Sequence, residues 1–160
     1  MSRTTATSEE RANWRANWLT SVQELADLEM QRATWLNPNS GNPHYSFIEY
    51  VTVYFNDLSL DEANGGYTAR IAENLLSDVE AAAASRLHFL LDSYRPPTDD
   101  YDHHAILEDP SWHSVAAAAK EAQALLSDLI VQPDERANLL QRSEYALMAA
   151  TKNRIGPDVR

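Results

Sequence analysis

Two histidine–carboxylate pairs in this sequence have the spacing that metal chemistry needs. His104 and Glu108 are four residues apart, and so are His88 and Asp92. Side chains four residues apart lie on the same face of a helix, which is how helical bundles present metal ligands. One interpretation is therefore a metal site formed by His88, His103, His104 and Glu108, in a metal-dependent helical-bundle enzyme.

Other features of the sequence argue against such an enzyme. A zinc site needs three or four convergent ligands, and no His-Glu-x-x-His motif or matched pair on another helix accompanies these residues. His88 does not lie on the apolar stripe of its predicted helix, so its side chain is expected to be exposed to solvent. Cysteine, the Gly-x-Ser-x-Gly elbow and a glycine-rich phosphate loop are all absent from the sequence. The preferred prediction is a protein with no catalytic residues, no metal and no cofactor.

The overall charge limits the class of partner. Lys and Arg number 13, whereas Asp and Glu number 24, which gives a formal net charge of -11. Nucleic acids and anionic membranes bind positively charged protein surfaces, so neither is expected as a partner. The sequence has no cysteine, no signal-peptide pattern and no apolar stretch long enough to span a bilayer. These features predict a cytoplasmic protein.

The negative charge is concentrated in one third of the chain. Residues 57–109 hold 12 acidic and 3 basic residues, a net charge of -9, whereas residues 1–56 and 110–160 have net charges of -2 and 0. This concentration either serves solubility or forms a negative field that meets a basic protein. On the second interpretation, tyrosines and carboxylates in and beside the segment contact the partner. The predicted partner-binding residues are Tyr54, Asp57, Asp99, Asp100, Tyr101, Asp102, Glu108 and Asp109.

Helical signals run through the whole chain, and no strand pair is evident. Capping boxes are formed by Thr7 with Glu10, Ser46 with Glu49, and Ser77 with Glu80. Asp109 followed by Pro110 marks a further helix start. The predicted helices cover residues 8–36, 46–58, 67–77, 77–94, 110–129 and 133–156, with one further helical turn expected before Asp109. The predicted fold is all-α, a bundle of five or six helices forming one domain over residues 1–160, with residues 157–160 frayed.

A tandem repeat stands near the start of the chain. The tetrapeptide Arg-Ala-Asn-Trp occurs twice in succession and ends at Trp14 and at Trp18. A four-residue repeat advances about 400° around a helix, so the two indoles are expected to stack on one face. The favoured interpretation is that this face lies in the core. The alternative is that it forms the seam of a structural homodimer.

The middle of the chain resembles a known family. Phe47-Ile48-Glu49-Tyr50 followed by Tyr54-Phe55-Asn56-Asp57-Leu58 resembles the helix with a Tyr-Phe-x-x-Asp-Trp-like motif in immunity proteins of bacterial contact-dependent growth-inhibition systems. The order of later elements, over roughly residues 47–115, is also similar. The resemblance implies a small helical protein that binds and blocks a cognate toxin domain, frequently a nuclease. Together with the acidic segment, it predicts a module that neutralises a basic toxin.

Overall fold

Helices are the only regular secondary structure in the described part of the chain. The computed structural model describes residues 5–39 and 42–158, with side chains described as far as Thr151. The α-helices are α1 (Ser8–Ala26), α2 (Leu28–Trp35), α3 (Phe47–Thr52), α4 (Gly66–Ala72), α5 (Asp78–Ala83), α6 (Ser85–Ser93), α7 (His103–Glu108), α8 (Pro110–Leu129), α9 (Pro133–Leu140) and α10 (Glu144–Asp158). A π-helical turn (Val53–Asp57) and a 3₁₀ turn (Glu62–Asn64) lie between α3 and α4. The all-α class is therefore confirmed.

The prediction of five or six helices was an undercount, because several predicted helices are interrupted. The predicted helix over residues 8–36 is divided at Asp27, which ends α1 and also caps α2 by accepting the backbone N–H of Met30 at 3.1 Å. The helix predicted over residues 77–94 is interrupted at Ala84, and that over 133–156 is interrupted after Leu140. Each break leaves the apolar periodicity almost unchanged, so the sequence pattern did not reveal it. Residues 157–160 were predicted to be frayed. Helix α10 continues to Asp158, and residues 159–160 lie outside the described residues.

The predicted helix starts are confirmed at the residues that carry capping signals. Both hydrogen bonds of the capping box are present at Thr7 and at Ser77. Ser46 accepts the backbone N–H of Glu49 at 3.1 Å, and Asp109 caps α8. These caps are local in sequence and satisfy N–H groups that a helix leaves unpaired, which is why they were predictable.

Helix α8 lies against α1, α5, α6, α7 and α9 and is central to the fold. Its Trp112 is fully buried and lies 5.5–5.8 Å, between ring centroids, from Trp35 and Phe47. The indole N–H of Trp112 donates to the amide oxygen of Gln31 at 2.8 Å, so this buried polar atom is satisfied. One cluster of buried apolar side chains extends from Trp18 to Ala149.

The guanidinium of Arg15 joins three elements inside the fold. Arg15 is 3% exposed. It donates two hydrogen bonds to Glu80 of α5 (2.9 and 2.6 Å), two to Glu135 of α9 (2.7 and 3.2 Å) and one to the carbonyl of Leu75 (3.1 Å). These five bonds match the five N–H groups of an arginine side chain. Arg15 therefore fixes α1 against α5, α9 and the segment before α5.

This ion pair affects the pKa of both partners. Burial alone raises the pKa of the Glu80 carboxyl, but hydrogen bonds and the positive charge of Arg15 outweigh burial and hold that pKa below its usual value. The same contacts raise the pKa of Arg15 despite its burial. Because the pKa of Glu80 is lower in the folded state than in the unfolded chain, its contribution to stability is present at neutral pH. That contribution is lost as the pH falls through the folded-state pKa.

Among the described residues, no helix has both the length and the apolar character required to cross a membrane.

We expect the substitution Arg15→Met to lower the free energy of unfolding by about 3–5 kcal/mol, because it leaves two carboxylates unpaired inside the fold. The matched control is Arg86→Met. The side chain of Arg86 is 68% exposed and lies 4.0 Å from Glu121, so its loss should change stability by no more than about 0.5 kcal/mol. Urea unfolding followed by circular dichroism measures both values. Equal losses in the two variants would show that the Arg15 contacts do not stabilise the fold.

Candidate partner-binding groove

The predicted partner-binding residues between 99 and 109 lie on the surface, but several of them have structural roles. The carboxylate of Asp99 accepts the backbone N–H of Tyr101 at 2.8 Å, and Asp102 caps α7 through the N–H of Ala105 at 3.1 Å. Asp109 caps α8 and accepts the hydroxyl of Tyr94 at 2.9 Å. These side chains are already engaged in fixing the loop and the two helices that follow it.

The remaining predicted contact residues differ in their exposure. Asp57, Asp100 and Glu108 are exposed, and Tyr101 is 78% exposed, as expected for a contact residue. The prediction that Tyr54 contacts a partner is wrong. Tyr54 is fully buried, four residues after the buried Tyr50 and on the same helical face, and its hydroxyl is hydrogen-bonded inside the fold, so it cannot contact a partner directly.

The alternative metal site is not formed. His88 is bonded through Nδ1 to the Tyr54 hydroxyl at 3.0 Å, so the expectation that it is simply solvent-exposed was also wrong. The ring of His103 packs against Trp35, with centroids 5.2 Å apart, whereas His104 and Glu108 are exposed. Among the residues that the structure describes, no three His, Asp or Glu side chains converge in a way that could hold a metal ion.

The tandem tryptophans stack as predicted, with ring centroids 5.5 Å apart and ring planes inclined by 23°. Trp18 is fully buried, which confirms the core interpretation for this residue. Trp14 is half-buried, and its indole N–H donates to the carbonyl of Leu58 at 2.9 Å. Trp18 therefore belongs to the core, and Trp14 is the member of the pair that reaches the surface; a homodimer through this face stays a prediction.

A row of adjacent clefts forms the candidate site. The first, the Trp14 cleft, has a volume of about 630 Å³. Apolar side chains of Trp14, Leu58 and Leu75 line it together with Glu62 and Glu73. It is bounded by α1, by α4 and by the loop that carries the 3₁₀ turn, so it collects residues that are distant in sequence.

Two neighbouring clefts share lining residues with the Trp14 cleft. On one side, the Glu10 cleft, about 300 Å³, shares Trp14, Glu73 and Leu75 with it. On the other side, the His88 cleft, about 370 Å³, shares Glu62 and Gly65. We call these three clefts together the acidic groove. Its lining carboxylates are those of Glu10, Glu62, Glu73 and Asp92.

The carboxylates of the groove differ in how they are engaged. Glu10 belongs to the capping box of α1, and Glu73 forms an ion pair with Arg70 at 3.0 Å. Within the described residues, Glu62 and Asp92 form no ion pair with a basic side chain. Both are exposed, so their charges are available to a ligand.

The basic residue that lines the groove is bound internally. Arg70 is 5% exposed and donates to the carbonyl oxygens of Ser59 at 2.6 Å and Asn64 at 3.2 Å. Arg70 thus holds the 59–64 loop against α4 and is paired with Glu73. Its charge is therefore not free to neutralise Glu62 and Asp92, and the groove keeps its negative character.

The turn between the Trp14 cleft and the His88 cleft depends on glycine. Gly65 has φ of 93° and caps α4, and a Cβ atom at this position would lie 2.6 Å from the Cβ of Ala69. Only glycine adopts this left-handed conformation without strain and also leaves room for the following helix. The role of this turn could not be predicted from the sequence, because nothing local indicates that Glu62 and Asp92 line the same cleft.

The comparisons with known proteins point to one family. The family described as Domain of unknown function (DUF7945) matches residues 10–135. The matched residues include most of the groove lining, from Glu10 to Asp92. The comparisons with curated proteins and with solved structures each gave no match.

We expect Gly65→Ala to lower the free energy of unfolding by about 2–4 kcal/mol, because it combines a left-handed backbone penalty with a steric clash. The matched control is Gly66→Ala. Gly66 also has a positive φ, 55°, but a Cβ atom there would lie 3.5 Å from its nearest neighbour. The control should therefore cost only about 1–2 kcal/mol. Urea unfolding compares the two variants, and an equal or smaller loss at Gly65 would contradict the role given to this turn.

Proposed function

The chain belongs to the family described as Domain of unknown function (DUF7945), and we propose that it is a protein-binding module whose acidic groove receives a basic segment of a partner protein. The observation that carries this proposal is the pairing pattern in the groove. Glu62 and Asp92 are exposed and have no basic partner among the described residues, whereas Arg70 beside them is buried and bound to carbonyl groups.

The groove also offers the apolar contact area that protein recognition requires. Trp14, Leu58 and Leu75 lie beside the carboxylates. The indole N–H of Trp14 is already bonded to Leu58, so binding would not cost the ordering of this side chain. A rigid aromatic residue surrounded by charges suits a partner that presents lysine or arginine side chains on an apolar backbone.

In its narrower form, the proposal is that the protein neutralises a basic toxin domain, such as a nuclease, in the bacterial cytoplasm. One observation and one physical argument support this form. The sequence resemblance to immunity proteins covers roughly residues 47–115, and most residues of the His88 cleft and the Trp14 cleft fall in that range. Occupation of a nuclease by an acidic protein blocks the basic surface with which it holds nucleic acid. The same charge predicts that the protein itself does not bind DNA or RNA.

We expect the double variant Glu62→Gln/Asp92→Asn to lose the capture of basic proteins. The immobilised wild-type protein should retain basic proteins from a lysate of the producing cells at low ionic strength and release them with added salt, because the attraction is electrostatic. The double variant should retain them about tenfold less well, as two charge-assisted contacts are lost.

The matched control is Glu121→Gln/Asp128→Asn, which makes the same change in net charge on α8. Both of these residues are exposed and line none of the three clefts of the groove. The control should capture the same proteins as the wild type. Equal losses in the two double variants would mean that net charge, and not the groove, attracts basic proteins, and the proposal would be wrong.

A further inference from the structure

A chain of hydrogen bonds leads from the core to the wall of the His88 cleft. The indole N–H of Trp18 lies 2.9 Å from the hydroxyl of Tyr67, which lies 2.9 Å from the hydroxyl of Tyr54. The Tyr54 hydroxyl lies 3.0 Å from Nδ1 of His88. Both Trp18 and Tyr54 are fully buried, so this is a polar relay through an apolar interior.

The direction of the relay follows from the chemistry of its first member. An indole N–H can only donate, so the Tyr67 oxygen accepts from Trp18. If Tyr67 then donates to Tyr54 and Tyr54 donates to His88, every buried hydroxyl hydrogen has an acceptor. The opposite direction would leave the hydroxyl hydrogen of Tyr67 without an acceptor among the contacts of the relay. Nδ1 of His88 is therefore an acceptor, and the ring is neutral with its hydrogen on Nε2.

The relay opposes protonation of His88. A second ring hydrogen, on Nδ1, would meet the hydrogen of the Tyr54 hydroxyl, so the whole relay would have to reverse. Burial also lowers the pKa of His88, against the opposing effect of Asp92 four residues later. The titratable groups around the ring are Glu62 in the 3₁₀ turn, Tyr54, Tyr67 of α4 and Asp92 of α6.

A neutral His88 determines the charge of the cleft. If the ring were an imidazolium, it would lie next to Asp92 and neutralise much of the negative charge there. Because the relay keeps the ring neutral, the ring adds no positive charge beside Glu62 and Asp92. The guanidinium of Arg95 donates to the backbone carbonyls of Asp92 at 3.0 Å and Tyr94 at 2.7 Å and forms no ion pair with the Asp92 carboxylate. The aromatic rings of Tyr67 and His88, 5.3 Å apart between centroids, form the adjoining wall.

We propose that the His88 cleft binds one arginine side chain of the basic partner, with Glu62 and Asp92 as its ion-pairing groups. This inference rests on the proposed function and names the site at which a partner is anchored. A guanidinium is favoured over an ammonium because it is planar, donates to two carboxylates at once and stacks on aromatic rings. The cleft volume of about 370 Å³ accommodates such a side chain.

The probe for this proposal is Nα-acetylarginine amide, and the control ligand is Nα-acetylcitrulline amide, which has nearly the same shape and no charge. In ¹⁵N-edited spectra of the full chain, the arginine compound should shift the resonances of Tyr67, His88 and Asp92, and the citrulline compound should not. Glu62→Gln and Asp92→Asn should each weaken binding about three- to fivefold, as expected for partly exposed ion pairs. Equal shifts with both compounds, or shifts confined to other parts of the chain, would overturn the proposal.

A second variant tests the relay without touching the ligand. Tyr54→Phe removes the donor to Nδ1, so Asp92 can stabilise a protonated His88 at mildly acidic pH. The wild type should lose less of its affinity for the arginine compound between about pH 8 and about pH 6 than Tyr54→Phe does, because burial and the hydrogen bond from Tyr54 hold the pKa of His88 below its usual value. Tyr54→Phe should bind normally at the higher pH and about fivefold more weakly at the lower pH, where an imidazolium repels the guanidinium. Imidazole ¹⁵N shifts report the protonation state of His88 directly.

The matched control is Tyr145→Phe, since Tyr145 is 73% exposed and lies on α10. It should bind like the wild type at both pH values, and a similar pH dependence in the control and in Tyr54→Phe would refute the role of the relay.

The outcomes separate this inference from the proposed function. If the double variant Glu62→Gln/Asp92→Asn loses basic proteins while the arginine compound does not shift His88, the anchor site is wrong and the groove still binds partners. If the arginine compound binds as described while no basic protein is captured, the His88 cleft is supported as an arginine-binding site and the proposed function is wrong.

Discussion

The buried guanidinium of Arg15 is the contact on which the arrangement of the groove depends. It holds Glu80 of α5, Glu135 of α9 and the carbonyl of Leu75 through five hydrogen bonds. Leu75 lines two of the three clefts, and Trp14 next to Arg15 in the chain lines the same two. The ion pair therefore places the apolar wall of the groove as well as joining the helices. A buried charge with all of its donors satisfied specifies position more strictly than apolar packing does.

The use of arginine inside the fold explains why the groove stays negative. Arg15 and Arg70 are buried, and Arg136 donates to the carbonyl groups of Ser127 and Ile130. These side chains satisfy carboxylates and backbone carbonyls at positions where the helices end or meet. Cations held in this way cannot move to pair with Glu62 or Asp92. Among the described residues, the carboxylates of Glu62 and Asp92, which line a cleft with aromatic walls, therefore form no ion pair with a basic side chain.

The local parts of this fold could be predicted from the sequence, and the long-range parts could not. The caps at Thr7, Ser77 and Asp109 depend on residues within three positions, so their signals were sufficient. The break at Asp27 accompanies a hydrogen bond from the backbone N–H of Met30 to the Asp27 carboxylate, which caps α2 and which apolar periodicity does not encode.

In the candidate site, too, the local features could be predicted from the sequence and the long-range ones could not. Exposure of Tyr101 follows from its acidic neighbours and was predicted, whereas Tyr54 is fully buried on the helical face that also buries Phe47 and Tyr50. Glu62 and Asp92 are 30 residues apart and line one cleft, beside the contact between the rings of Tyr67 and His88. The acidic third of the chain was recognised, and most of the predicted contact residues lie around Tyr101. The approach of Glu62 to Asp92 was not predicted, because the sequence gives no distance between segments.

The most direct test of the account is to map where a basic segment binds. A hexa-arginine peptide titrated into the ¹⁵N-labelled protein should cause its largest amide shifts in residues 60–68 and 88–92, which carry the carboxylates of the His88 cleft. Concentration of the shifts in residues 99–104, or an even distribution over all acidic surfaces, would contradict the central claim that the groove is the binding site.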